Sequence, residues 1–235
     1  MKPNIIHYMD KTGKLYIVAT PIGNPRDITL RALDILKSVD GIICEERREG
    51  STLLKRLDVP EKPLIPLNEH NEAEATADLV IRMFKGESFA LISDAGTPVF
   101  ADPGAYLIQE ASLNGLQVVP IPGPSSLMAI LSVLDFKLDK FIFGGFLPRV
   151  PDQRRQELTR LRGLRLPVVL MDTPYRLAAL LDDVEKTFGK GQRLTLGFDL
   201  TLDSEIILRG TPAEFKKALG PRKGEFMLIV HGPLN

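Results

Sequence analysis

The chain is predicted to be an α/β protein of two domains, on three observations. Short apolar runs that read as strands alternate with helix-periodic segments through the first half. Pro122-Gly123-Pro124, near the midpoint, is the strongest break in the sequence and marks a domain boundary. Beyond Leu194 the pattern changes to closely spaced β-like runs with one intervening helix, which suggests antiparallel pairing. The expected organisation is an N-terminal α/β domain, residues 14–122, with a mainly parallel sheet, and a C-terminal α/β domain, residues 123–235, with a mixed sheet.

Lys14 to Thr20 reads as a buried strand running into a Pro/Gly/Asn turn, Pro21 to Arg26. Asp27 is placed to cap a helix whose apolar stripe is Ile28, Ala32, Ile35 and Leu36, and Ile42 to Cys44 is a short strand. After the charged run Glu45 to Glu49, Thr52 to Leu57 is helical, Pro63 to Leu67 extended, and Glu72 to Lys85 helical with Ala75, Leu79 and Met83 on one face. Phe89 to Ile92 is a strand, Ala105 to Asn114 a helix stopped before Gly115, and Gln117 to Ile121 a strand. In the second half a helix runs from a Ser125 cap to Leu134. Phe141 to Gly144 is a strand, Arg154 to Leu161 a basic helix, Pro167 to Met171 a strand and Arg176 to Phe188 a helix. Leu194 to Phe198, Glu205 to Arg209 and Phe226 to Val230 are β-like, with a helix from Pro212 to Leu219.

Composition narrows the function classes. Of 235 residues, 44% are hydrophobic and 26% charged, the balance of a globular chain, and no apolar run approaches a membrane span. The amino-terminal segment carries neither a signal nor a transit pattern, so the expected compartment is the cytoplasm. With 30 basic and 30 acidic residues no global field attracts nucleic acid, and any such contact must be a local patch. One such patch is the cluster Arg149, Arg154, Arg155, Arg160, Arg162 and Arg165, which suits phosphate contacts or, equally, a solvated helix face. Cys44 reads as a small buried hydrophobe, and with one cysteine and three histidines no zinc cluster is expected. The dinucleotide fingerprint, the P-loop and the hydrolase nucleophile elbow are all missing from the sequence.

The stretch most suited to chemistry is Phe89 to Pro103, where a strand breaks into Ser93-Asp94-Ala95-Gly96-Thr97-Pro98. Gly96 permits close backbone approach, while Ser93, Asp94, Thr97 and Asp102 bring polar groups to a strand's carboxyl end; a purely structural turn is the alternative. Loops at Pro21, Asp94 and Pro122 can converge on one cleft.

Taken in order, ATPIGN (Ala19 to Asn24), DITLRAL (Asp27 to Leu33), HNE (His70 to Glu72), LISDAGTP (Leu91 to Pro98), DPG (Asp102 to Gly104) and PGPSS (Pro122 to Ser126) resemble one family. It is the small-subunit ribosomal RNA ribose 2′-O-methyltransferase I family, of the tetrapyrrole methylase superfamily. GFLPR (Gly145 to Arg149), RGT (Arg209 to Thr211) and GEF (Gly224 to Phe226) extend the match. The resemblance implies a two-domain tetrapyrrole-methylase-like fold, a homodimer, and S-adenosylmethionine bound between the domains; methyl transfer by in-line displacement at the sulfonium carbon requires no metal. It implies that Asp94, Ala95, Gly96, Thr97, Val99, Ser125, Ser126, Met171, Asp172, Leu200, Thr201 and Leu202 border the cofactor.

A ribose hydroxyl is a weak acid, so a carboxylate that accepts its proton would aid methyl transfer; Glu45 and Glu46 are the candidates, with Arg48 beside them. Arg149, Arg154 and Arg155 are candidate contacts to RNA phosphates. Where the family commonly reads Glu-Asp-Thr-Arg the chain has Glu45-Glu46-Arg47-Arg48, and Leu202 stands in place of a lysine. These departures keep two alternatives open: a methyltransferase acting on a small tetrapyrrole-type molecule, and a non-enzymatic cofactor or RNA binder.

Overall fold

The computed structural model describes residues 11–99, 102–220 and 222–232, and the amino-terminal segment read above lies mostly outside them. The chain divides into two compact units, Met1–Ser125 and Ser126–Asn235.

The first unit is a five-stranded parallel sheet in the order β3-β2-β4-β1-β5, formed by β1 (Lys14–Val18), β2 (Gly41–Cys44), β3 (Leu64–Pro66), β4 (Phe89–Ile92) and β5 (Gln117–Ile121). β2 and β4 are buried along their whole length, as strands covered on both faces must be. On one face α1 (Leu30–Ser38) and α2 (Arg47–Arg56) bury Ala32, Leu36 and Leu54 against Val18, Ile42 and Ile92. On the other, α3 (Glu72–Phe84) and α4 (Ala105–Leu113) bury Leu79, Met83, Leu107 and Ala111 against Leu15, Ile43 and Leu91.

Two helix starts differ from the sequence expectation. Asp27 closes a short 3-10 turn, Pro25–Asp27, and the cap of α1 is Thr29, whose hydroxyl accepts from the Ala32 amide at 3.1 Å. The charged run is not a separate loop, because α2 already begins at Arg47.

The second unit carries a mixed sheet in the order β6-β7-β10-β8-β9, made from β6 (Ile142–Phe146), β7 (Val168–Asp172), β8 (Leu194–Phe198), β9 (Ile206–Gly210) and β10 (Phe226–Val230). Only β6 and β7 are parallel; the other neighbours run antiparallel. One face is covered by α6 (Pro151–Gly163), α7 (Leu177–Phe188) and α8 (Pro212–Leu219), which bury Leu158, Leu161, Leu180, Leu181, Val184 and Phe215. The other is covered by α5 (Ser126–Ser132), where Ile130 packs with Val169, Met227 and Ile229. α6 is longer than its basic core suggests, since Pro151 fits the first helical turn, where its missing N–H costs nothing. Among the described residues no helix is long and apolar enough to cross a membrane.

Candidate active site

Because all five strands of the first unit are parallel, their carboxyl ends and the loops that follow share one edge, where open α/β sheets bind ligands. The loops after β1, β4 and β5 are tied together there. Thr20 and Gly96 form an isolated antiparallel bridge, with amide-to-carbonyl distances of 2.8 and 3.1 Å. The fully buried Thr20 hydroxyl donates to the Ser93 carbonyl at 2.9 Å and reaches the Gly96 carbonyl at 3.3 Å. Thr97 donates its hydroxyl to the Pro124 carbonyl at 3.1 Å, and the Ser93 hydroxyl accepts from the Ala95 amide at 3.2 Å.

Gly96 has φ +84°, and a Cβ there would stand 3.1 Å from the Ile22 side chain. Val99 also holds a left-handed backbone, φ 74°, which is strained for a β-branched residue. The loop is therefore over-determined by its neighbours rather than by its own preferences, while Asp94, Ala95 and Thr97 project from it exposed.

The edge is acidic. Asp94 is exposed but partly desolvated by the loop around it, and that desolvation first, then Glu49, Asp102 and Glu46, push its carboxyl up from its ordinary value. Burial, Asp102, Asp94, Glu46 and Glu69 do the same to Glu45. Glu45 and Glu46 line a cavity of about 380 Å³ with Asn68, Glu69, His70, Glu72 and Pro103. Glu72 is not free for chemistry there, because one of its oxygens accepts from the Gly104 amide at 2.9 Å and the Tyr106 amide at 3.3 Å at the start of α4. Glu45 and Arg48 form no ion pair, and Arg48 is exposed on α2. Burial pushes the Cys44 thiol up to about 11, so it remains a neutral core residue as expected.

In the second unit Met171 and Asp172 end β7. Asp172 is 2% exposed; its Oδ1 accepts from the Thr173 amide at 2.7 Å and meets Arg176 at 3.1 Å, whereas Oδ2 has no partner. Burial raises its pKa, against the opposing pull of the Thr173 amide and Arg176. Leu200 packs on the α5 face of the sheet with Met171. In the same loop Thr201 has φ 68° and donates its amide to Glu205 at 2.7 Å, and Leu202 is exposed. Val99 and Thr201 are thus β-branched residues in left-handed backbone, and both lie in segments that the resemblance assigns to the cofactor. Ser125 ends the first unit, and Ser126 begins α5 in the second.

The basic helix requires a correction. Arg154 is 5% exposed and points inward, with Nε and Nη2 on Asp183 Oδ2 at 2.7 and 2.6 Å. A guanidinium sealed against a carboxylate cannot meet an RNA phosphate. Arg155 joins Asp152 and Asp183, Arg160 joins Glu157, and Arg162 donates to the Thr187 carbonyl at 2.8 Å. Of this cluster Arg149 and Arg165 are exposed and make no ion pair among the described residues.

Sequence reasoning missed three participants. Thr20 was read only as a strand end, although a hydroxyl just before Pro21-Ile22-Gly23 is placed to tie the next loop. Asp183 interrupts the apolar face of α7 between Leu180, Leu181 and Val184, which signals a buried charge partner. Arg176 donates to the carbonyls of Leu147 and Pro148 at 3.2 and 2.9 Å while Arg154 reaches that of Arg149 at 3.2 Å, so two arginines fix the backbone of the Gly145 to Arg149 segment.

The two-unit α/β fold, with a parallel sheet in one unit and a mixed sheet in the other, is shared with known proteins. The family model described as Tetrapyrrole (Corrin/Porphyrin) Methylases matches residues 14–216, and the chain belongs to that family and is a methyltransferase. Solved relatives share the fold at low identity. Cobalt precorrin-4 methyltransferase has a TM-score of 0.69 at 18% identity, covering 92% of this chain and 94% of that one. Diphthine synthase has a TM-score of 0.71 at 14% identity, covering 95% and 92%. Higher identity comes from proteins named Ribosomal RNA small subunit methyltransferase I. That of Xylella fastidiosa (strain Temecula1) is 40% identical over 95% of this chain and 83% of its own length. That of Leptospira biflexa is 37% identical over 95% and 93%, and that of Escherichia coli O157:H7 37% identical over 94% and 78%.

Proposed function

We propose that the protein transfers a methyl group from S-adenosylmethionine to a ribose 2′-hydroxyl of small-subunit ribosomal RNA. The observation that carries this reading is the tied, strained Gly96 loop beside a ring of carboxylates, in a chain whose relatives of higher identity are named for methylating small-subunit ribosomal RNA.

The residues fit the cofactor. S-adenosylmethionine supplies an electrophilic methyl group on a sulfonium cation. Carboxylates at Glu46, Glu49, Asp94 and Asp102 give this edge the field that favours a cation. Gly96 lets the loop turn at φ +84° while packed against Ile22 and the Pro124 carbonyl, and on the resemblance Asp94, Ala95, Gly96, Thr97, Val99 and Ser125 of this loop region are assigned to the cofactor. On the resemblance, Ser126, Met171, Asp172, Leu200, Thr201 and Leu202 are assigned the same role in the second unit. The unpartnered Oδ2 of Asp172 supports this, because a buried acceptor without a donor is costly unless a ligand satisfies it.

Glu45 accepts the proton of the attacking hydroxyl in this account. A carboxylate with a raised pKa is the better base, and Glu45 is raised by burial and by four neighbouring acids, Asp102, Asp94, Glu46 and Glu69. Glu46 shares the cavity and Arg48 lies on the adjoining helix turn. As pH falls through the raised pKa, Glu45 takes up a proton and can no longer accept one. The acid limb of kcat/KM should therefore lie above the ordinary glutamate range. Glu45→Gln should lower kcat by about 10²–10⁴-fold and abolish that limb, with RNA affinity retained. A variant with an unchanged pH profile would remove Glu45 from the reaction.

The protein is further proposed to act as a cytoplasmic homodimer. The family resemblance supports the dimer. Methyl transfer from labelled cofactor to purified small ribosomal subunits tests the reaction directly. Label in the ribose of small-subunit RNA supports it, and label found only in a small tetrapyrrole-type acceptor would overturn it.

A further inference from the structure

A cavity of about 760 Å³ lies within the second unit, lined by the 135–140 loop, Arg165 to Pro167, Arg193, His231 and Gly232. It sits at the end of the sheet where β7 begins and β10 finishes, opposite the Asp172 end of β7. Four residue steps of a strand separate those ends, about 13 Å. Its acids are already engaged: Asp135 lies 3.6 Å from Arg209, and Asp139 lies 2.9 Å from Lys137. Lys140, Arg165 and Arg193 are exposed and form no ion pair among the described residues. In a chain of zero formal net charge this is a local excess of positive charge around a concavity. The Phe136 ring belongs to the same wall, 4.5 Å from the His231 ring and tilted by 50°. His231 is held by the Thr195 hydroxyl at 2.9 Å, and burial lowers its pKa, so at neutral pH it offers a ring face rather than a charge.

We propose that this groove binds a single-stranded RNA segment, with phosphates on Lys140, Arg165 and Arg193 and a base against Phe136. Cations that track a backbone beside an aromatic ring are the elements of a single-strand site. The acidic edge of the first unit repels phosphates, so an RNA substrate needs its electrostatic grip elsewhere, and Arg154 and Arg155 of α6 are engaged by Asp183 of α7. The inference rests on RNA being the substrate and adds the surface that holds it.

The test uses the full chain and a fluorescein-labelled oligouridylate, titrated from low to moderate salt. Replacing Lys140, Arg165 and Arg193 together with Ala should weaken binding by about tenfold or more and reduce the slope of log K against log salt by roughly 2, at about 0.7 per lost phosphate contact. Phe136→Leu should weaken binding a few-fold with the slope unchanged, as a lost stack does. A control variant, Lys37→Ala with Lys55→Ala and Arg56→Ala, removes equal charge from the first unit and should change little. Unchanged affinity and slope in the groove variant, or an equal loss in the control, would overturn the proposal. Methyl transfer by the unaltered protein, measured in parallel, separates the two readings. Transfer to ribosomal RNA with intact binding by the groove variant would overturn the groove alone. RNA binding lost with the groove, in a protein that transfers no methyl to ribosomal RNA, would support the groove and overturn the substrate.

Discussion

Arg154→Ala should destabilise the second unit by about 3 kcal/mol, the lower end of the range for breaking a buried ion pair, because Asp183 keeps only its 3.3 Å contact to the half-exposed Arg155. Arg154 and Asp183 have side chains 7% and 4% exposed, and two guanidinium nitrogens meet a single carboxylate oxygen. The remaining Nη1 donates to the Arg149 carbonyl, so the variant also loosens the Gly145 to Arg149 segment. Arg154→Lys should not restore stability, because an ammonium cannot reproduce the fork. Replacing both partners by apolar residues of similar volume should cost much less than either single change. Urea unfolding of the variants checks this, and a loss below about 1 kcal/mol for Arg154→Ala would contradict the assignment of a buried pair.

Gly96→Val should weaken S-adenosylmethionine binding by roughly 10–100-fold or more, the equivalent of a few kcal/mol of strain and lost approach. A β-branched residue at φ +84° is strained in any surroundings, and here its Cβ also meets Ile22 at 3.1 Å. The amide and carbonyl of Gly96 bridge Thr20, so the distortion should spread to the loop after β1. Calorimetry on a variant shown to be folded makes the measurement, and wild-type affinity would remove the loop from the cofactor site.

The parallel sheet of the first unit was readable because β2 and β4 are buried along their whole length and because strands end abruptly at loops rich in small residues, Pro and Gly, as after Ile92 and Ile121. The convergence of the Pro21, Asp94 and Pro122 loops was also legible, since parallel strands leave their loops no other edge. Helix starts were less so: Asp27 and Thr29 are both good caps, and only packing of Ala32 and Leu36 selects the second. The fate of the arginines was invisible because Arg154 and Arg160 look alike in sequence. One is buried on Asp183, contributed from 29 residues away, and the other is exposed beside Glu157. Likewise the groove at Lys140, Arg165 and Arg193 joins segments separated in sequence, so no local run of charge announces it.

The most direct test of the central claim is mass spectrometry of ribose methylation in small-subunit ribosomal RNA from cells with the gene, without it, and with Gly96→Val in its place. The account predicts one 2′-O-methylated ribose that vanishes on deletion, returns with the unaltered gene and stays absent with the variant. Identical ribose methylation in all of these cells would contradict it.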